Sequence, residues 1–151
     1  MSEQRAPAAT ASSLRDVASD ELADEKERIV RALLDALERR DAVTIGELLA
    51  EDVVYYFPGR SAVAGTYQGR EAVLALFGEF ARLFDGPLEM ASHDVVASEA
   101  HVVDLATYTG ARGGQPFTWN AVRLYHVGPD RISEIWLMIG DVYAFDAWLA
   151  S

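Results

Sequence analysis

Two adjacent glycines, Gly113 and Gly114, separate two long strand-like runs, Ala100 to Ala111 and Phe117 to Val127. A two-residue Gly-Gly connection is a tight hairpin signal, because both central positions accept a positive φ. The turn fixes the register of everything around it. Residues equidistant from it lie opposite each other, so Asp104 faces Arg123, Ala106 faces Ala121, Tyr108 faces Trp119 and Val102 faces Tyr125. Side chains alternate across a pleated strand, so these eight residues share one face. Val103, Leu105, Val122 and Leu124 occupy the other, with His101 opposite His126 at one end. If Pro129 and Asp130 centre the next hairpin, Trp136 joins Arg123 and Met138 joins Ala121 on the first face. A bulge in either turn would reverse these assignments.

The chain ahead of this sheet is helical. Leu22, Ile29, Val30, Leu33, Leu34 and Leu37 recur at helical spacing, with Ser19 or Asp20 as cap and an end near Arg40. Asp41 caps a short second helix carrying Ile45, Leu48 and Leu49. Val53 to Phe57 reads as a strand stopped by Pro58-Gly59. Glu71 to Phe84 forms a third helix, with Val73, Leu74, Phe77, Phe80, Ala81 and Phe84 on one face and Asp85-Gly86-Pro87 as its stop. Leu88 to Ala97 and Ile132 to Ile139 complete the strand-like set, and the aromatic segment Tyr143 to Leu149 closes the chain. Helices first and an antiparallel sheet second define an α+β fold. Residues 1–20, rich in Ala, Ser, Pro and charge, are expected to form a disordered or loosely ordered tail, with one domain over 21–151.

Composition narrows the function. The net charge is −11 and no basic cluster occurs, which argues against nucleic acid and anionic membrane surfaces as partners. The chain has no cysteine, which removes disulfides, thiol catalysis and Cys-ligated zinc. The three histidines have no metal-ligand spacing, and Gly59, Gly65 and Gly69 make no phosphate-binding pattern, so neither metal nor cofactor is expected. Met1 to Ser19 has no apolar run of signal-peptide type, and no segment approaches a membrane span, so the expected location is cytoplasmic.

The stretch Tyr55-Tyr56-Phe57-Pro58-Gly59-Arg60-Ser61-Ala62-Val63-Ala64-Gly65-Thr66-Tyr67-Gln68-Gly69-Arg70-Glu71, an aromatic strand end, a Gly-containing loop and a helix start, resembles the SnoaL-like, ketosteroid-isomerase-like branch of the NTF2-like superfamily. The run Trp136 to Trp148 is similar to that family's closing pattern. The resemblance covers about Leu22 to Ser151. It implies a cone of three N-terminal helices packed in a curved, mostly antiparallel sheet around an apolar pocket, and a homodimer through the sheet. Two departures stand out. The aspartate base of the steroid-isomerase branch precedes the proline, where this chain has Phe57, and the helix-one tyrosine of that branch aligns with Leu33. Relatives with the same loop pattern carry histidine where this chain has Tyr56.

The candidate catalytic residues follow. Asp104 with Arg123 on an aromatic wall fits a general base or a hydroxyl acceptor, and equally a structural cross-strand ion pair. Asp141 stands where the resemblance implies the acid/base aspartate of SnoaL-type polyketide cyclases, and equally where a helix N-cap is needed. Tyr55 or Tyr56, of which alternation lets only one face inward, would donate to an enolate oxygen. Phe57, Tyr67, Tyr108, Trp119, Trp136 and Met138 are expected to line the pocket. The function implied is a cofactor-independent cyclase or isomerase acting on a hydrophobic polyketide- or terpenoid-like substrate in secondary metabolism, such as antibiotic biosynthesis. The alternatives are a small-molecule-binding or dimeric scaffold protein, and an epoxide hydrolase using Asp104 and Asp141 around a water.

Overall fold

The computed structural model describes residues 11–151, with side chains from Leu14 onward. The elements run α1 (Ala11–Glu38), α2 (Ala42–Leu48), β1 (Leu49–Phe57), β2 (Gly65–Gln68), α3 (Arg70–Arg82), β3 (Glu89–Ala97), β4 (His101–Arg112), β5 (Gln115–Val127), β6 (Ile132–Ile139) and α4 (Val142–Ala150). The strands form one sheet in the order β2-β1-β6-β5-β4-β3. Every pairing is antiparallel except β1 with β6. The helices pack on the concave side, so the α+β class and the mostly antiparallel sheet hold.

The Gly113-Gly114 hairpin has the expected register along its whole length, from Arg112 opposite Gln115 to His101 opposite His126. The next hairpin departs from expectation after one step. Gly128 donates to the Arg131 carbonyl at 2.8 Å and Val127 still pairs with Ile132, as a Pro129-Asp130 turn requires. Ser133 is then an extra residue on β6, and its hydroxyl donates to the His126 carbonyl at 3.1 Å. From Glu134 onward the pairing is shifted by one, so Leu124 meets Trp136, Val122 meets Met138 and Arg123 meets Leu137. A one-residue slip moves a strand's side chains to the opposite face. Trp136 and Met138 therefore lie on the convex surface, 41% and 47% exposed.

Two elements also differ. Helix α1 begins at Ala11, so Ser19 and Asp20 are inside the helix rather than capping it. Its extra turns contain no Gly or Pro to interrupt them. Ser19 and Lys26 tie it to Glu99 in the β3–β4 turn. The remainder of the expected tail, residues 1–10, lies outside the described residues. Strand β2 occupies what reads in sequence as loop, pairing Tyr67 with Tyr55. Asp41 caps α2 as expected, accepting from the Thr44 backbone N–H at 3.1 Å.

The core runs along the concave face. Val30, Leu33, Val53, Val73, Leu76, Tyr125 and Phe145 are almost fully buried. Phe145 and Trp148 of α4 close one end by packing on Phe57, Phe84, Phe117 and Trp119. Aromatic contacts of this kind add to the burial of each ring.

The Pro58-Gly59 turn fixes where α4 docks. Gly59 has φ +95°, and a Cβ there would lie 2.6 Å from Asp146 Oδ1 and 2.9 Å from Val142 Cγ2. The next residue, Arg60, donates its backbone N–H to Asp146 Oδ2 at 2.8 Å. Gly59→Ala is expected to destabilise the fold by about 1–3 kcal/mol, through backbone strain and displacement of α4. Urea unfolding measures this, and an unchanged midpoint would show that α4 docking does not depend on Gly59.

Candidate active site

The inner wall of the sheet is built from every second residue of four strands. These are Tyr55 and Phe57 on β1, Tyr108 on β4, Trp119 and Arg123 on β5, and Leu137 and Ile139 on β6. With Leu74, Phe77 and Phe80 of α3 they enclose a cavity of about 660 Å³. Its charged lining residues are Glu38, Arg40, Glu89 and Arg123. The first three are exposed and stand at the mouth, whereas Arg123 is 7% exposed and lies within the wall.

Arg123 is held from several sides. Its Nε donates to Asp104 Oδ2 at 3.0 Å and its Nη2 to Asp104 Oδ1 at 3.4 Å. Nη2 also approaches Met90 Sδ at 3.5 Å, and the guanidinium carbon sits 5.6 Å from the centre of the Tyr108 ring. Asp104 is 1% exposed and accepts a further hydrogen bond from the Tyr125 hydroxyl. A buried charge is tolerable when paired and hydrogen-bonded in this way. Burial works against the charge on Arg123, but the oxygens of Tyr125, Tyr108 and Asp104 more than offset it and push its pKa well above the ordinary value.

Three donors remain for a ligand. Among the described residues Arg123 Nη1 and the hydroxyls of Tyr55 and Tyr108 make no hydrogen bond, and none of them is sealed from the cavity. Burial pushes both phenols above their ordinary pKa, against the opposing effect of Arg123. They remain protonated donors at neutral pH. The deep site is therefore a cation and two phenols in an apolar, aromatic chamber. It can hold a carbonyl oxygen and stabilise negative charge developing on it.

The expected site residues divide into two groups. Tyr55, Phe57, Tyr108, Trp119 and Arg123 line the cavity together. Asp104 is behind Arg123 and does not form part of the lining. Asp141 is exposed at the N-cap of α4, accepting from the Ala144 N–H at 3.0 Å, and does not reach the cavity. Asp104 and Asp141 thus share no chamber. Tyr56 is on the convex face, stacked on Trp136 at 3.9 Å between ring centres. Trp136 and Met138 are outside because of the Ser133 bulge. Tyr67 faces inward beside Tyr55, but its hydroxyl donates to the Val63 carbonyl at 2.7 Å and it is not in the lining. Sequence reasoning missed the Tyr125 hydroxyl on Asp104, although the hairpin register already put Tyr125 on the inner face. It also missed Met90, which the β3–β4 pairing sets opposite Tyr108.

Residues 30–135 match the model of the SnoaL-like domain. The chain belongs to the SnoaL-like family. A protein of Mycobacterium tuberculosis, Rv0034, named as uncharacterized, is 26% identical over 123 residues, 81% of this chain and 94% of that one. The solved structure of Bal32a, from a soil-derived mobile gene cassette, is 27% identical. It covers 85% of this chain and 98% of its own, with a TM-score of 0.81. A solved structure from Jannaschia sp. CCS1, assigned by its name to the SnoaL-like polyketide cyclases, is 18% identical. It covers 86% of this chain and 95% of its own with a TM-score of 0.72, a likeness of fold alone. The NTF2-like architecture of this SnoaL-like chain is thus shared along nearly the full length of those structures.

Removing Asp104 leaves Arg123 buried without a counter-charge. Asp104→Ala is expected to cost about 3–5 kcal/mol, while the double replacement Asp104→Leu with Arg123→Met costs much less, because no charge is left stranded. Chemical denaturation of both variants checks this. A double variant as unstable as the single one would show that the pair contributes net stability.

Proposed function

We propose that this SnoaL-like chain is a cofactor-independent cyclase or isomerase acting on a neutral, hydrophobic carbonyl compound of polyketide or terpenoid type, in cytoplasmic secondary metabolism. The observation that carries the reading is the buried Arg123 guanidinium, presented with Tyr55 and Tyr108 in the wall of a mostly apolar cavity. Such a chamber suits a hydrophobic ligand oriented by a few polar groups.

The chemistry follows from the donor set. A proton leaves the carbon next to the substrate carbonyl, and the electron pair moves onto the oxygen, which Arg123 and Tyr55 hold as an enolate. The enolate then takes a proton at a different carbon, giving an isomer, or attacks a second carbonyl, closing a ring whose alkoxide is protonated. Among the described residues Glu38 at the mouth is the acidic lining residue on the inner side, since Glu89 pairs with Thr109 on the outer face of the sheet, so the proton goes to Glu38 or to water there. Asp104 acts through Arg123, fixing its orientation and charge. The aromatic walls fold the substrate into one reactive shape.

A ligand-binding protein without turnover is the second reading, favoured by the lack of a carboxylate deep in the lining. Epoxide hydrolysis is less well supported, because Asp104 and Asp141 do not flank a common water site.

The two leading readings separate by exchange of α-protons into deuterated water, followed by proton NMR on β-tetralone. An enolate-stabilising enzyme accelerates exchange, and Arg123→Met reduces the acceleration by about 10²–10³-fold. Binding of the ketone without acceleration would replace the enzyme reading by the binding one.

The proposal includes a homodimer through the convex sheet face. Trp136, Met138, Leu105 and Val96 expose large apolar side chains there, beside the Tyr56–Trp136 stack. Sedimentation equilibrium is expected to give twice the chain mass, and Trp136→Glu to give the monomer. A monomeric wild type would remove the dimer from the proposal.

A further inference from the structure

Helix α3 carries a glycine in its interior that its own packing does not require. Glycine is the poorest helix former after proline, so an interior position calls for a reason. The ordinary reasons are missing at Gly78. It is not at a helix end, since α3 continues to Arg82 and is capped at Leu83. It is not among the glycines with positive φ. No neighbour needs the space, because a Cβ at Gly78 would meet nothing within 4 Å. Gly110 shows the contrast, since a Cβ there would come within 2.9 Å of Leu88 and Phe84.

The open space beside Gly78 belongs to the cavity. Gly78 lines it and is also exposed, which puts the residue at the mouth. Leu74 and Ala81, one turn to either side on the same face of α3, line the cavity too. Ala42 of α2 adds another small residue to the lining. The α3 side of the cavity is therefore lined by apolar and small residues, and it is kept clear at Gly78, where a Cβ would meet nothing within 4 Å.

We propose that Gly78 determines specificity, its missing side chain admitting the apolar tail of an elongated substrate whose carbonyl reaches Arg123. The inference rests on the reading of the cavity as a ligand site and adds the shape of the ligand to it. The substrate class is a carbonyl compound with a compact ring system and an extended apolar arm, rather than a compact polycycle contained by the chamber.

The test uses two fluorescent naphthalene ketones with the same chromophore, prodan with a propionyl group and laurdan with a dodecanoyl chain. Their emission reports transfer into an apolar site, and titration gives Kd for the wild type, Gly78→Ala and Gly78→Leu. Gly78→Leu is expected to weaken laurdan by about tenfold or more while prodan stays within about twofold, with Gly78→Ala intermediate. The thermal midpoint of Gly78→Ala is expected to rise by about 2 °C, as relief of an unfavourable helical glycine predicts. Equal loss of both ketones, or no loss of either, overturns the role of Gly78 and leaves the cavity as a ligand site. A lowered midpoint for Gly78→Ala also overturns it, since the glycine would then serve the helix. A wild type that binds neither ketone overturns the ligand-site reading together with this one.

Discussion

The arrangement depends on one buried ion pair. Arg123 and Asp104 are direct cross-strand neighbours on the inner wall, both largely withdrawn from solvent. Pairing alone would make them a neutral structural element of modest net value. What changes their meaning is the asymmetry of exposure. Asp104 is enclosed by Arg123 and the Tyr125 hydroxyl, while Arg123 keeps a nitrogen open to the cavity. The carboxylate therefore neutralises and orients the guanidinium from behind, and the guanidinium faces the cavity. The Met90 sulfur and the Tyr108 ring complete the support, so that a long flexible side chain behaves as a fixed donor.

A second constraint decides which aromatic groups surround that donor. The sheet has one extra residue at Ser133, and the rest of β6 is inverted relative to a regular hairpin. Leu137 and Ile139 then face the chamber, and Trp136 and Met138 face out. The interior gains two aliphatic side chains, and the convex surface gains a tryptophan that stacks on Tyr56. A single inserted residue, whose hydroxyl bonds the His126 carbonyl, thus separates the chemical character of the two faces. Without the bulge, the cavity would carry another indole and the outer face would lose its largest apolar group.

The sequence made the first hairpin legible because Gly113-Gly114 admits one register, and eight inward residues followed from counting. The next hairpin misleads for a physical reason. The Pro129-Asp130 turn is where it is expected, but the bulge lies beyond it, at a serine that looks like any polar strand residue. Strand β2 is equally hard to read, since Gly65-Thr66-Tyr67-Gln68 is short and its pairing with β1 is a tertiary matter. Asp141 could be read either way, because an aspartate ahead of an aromatic helix has the same local pattern as cap or as catalyst. Its exposure and its bond to Ala144 are visible only in three dimensions. The pairing of Asp104 with Arg123 was legible. Their order of depth, with the base behind the cation, was not, because it depends on the Tyr125 hydroxyl and on rotamers.

That order of depth limits the chemistry. An aspartate exposed in the wall would make the chamber a proton-abstracting site with its base beside the substrate carbon. With Asp104 screened by Arg123, the deep end offers donors alone, and the phenols stay protonated because burial raises their pKa. Stabilising a negative oxygen is what such a site does well, and it leaves the choice of carbon to geometry. In the proposed reaction selectivity comes from how the walls hold the chain of a flexible substrate, through Phe57, Trp119 and the face of α3. The sheet holds the oxygen in the proposed reaction, and the helix shapes the carbon skeleton. Under that proposal a SnoaL-like cone lacks the aspartate before the proline and still offers an enolate site. In the proposed reaction Arg123 keeps the charge-stabilising half of the chemistry, and the proton acceptor stands toward the mouth.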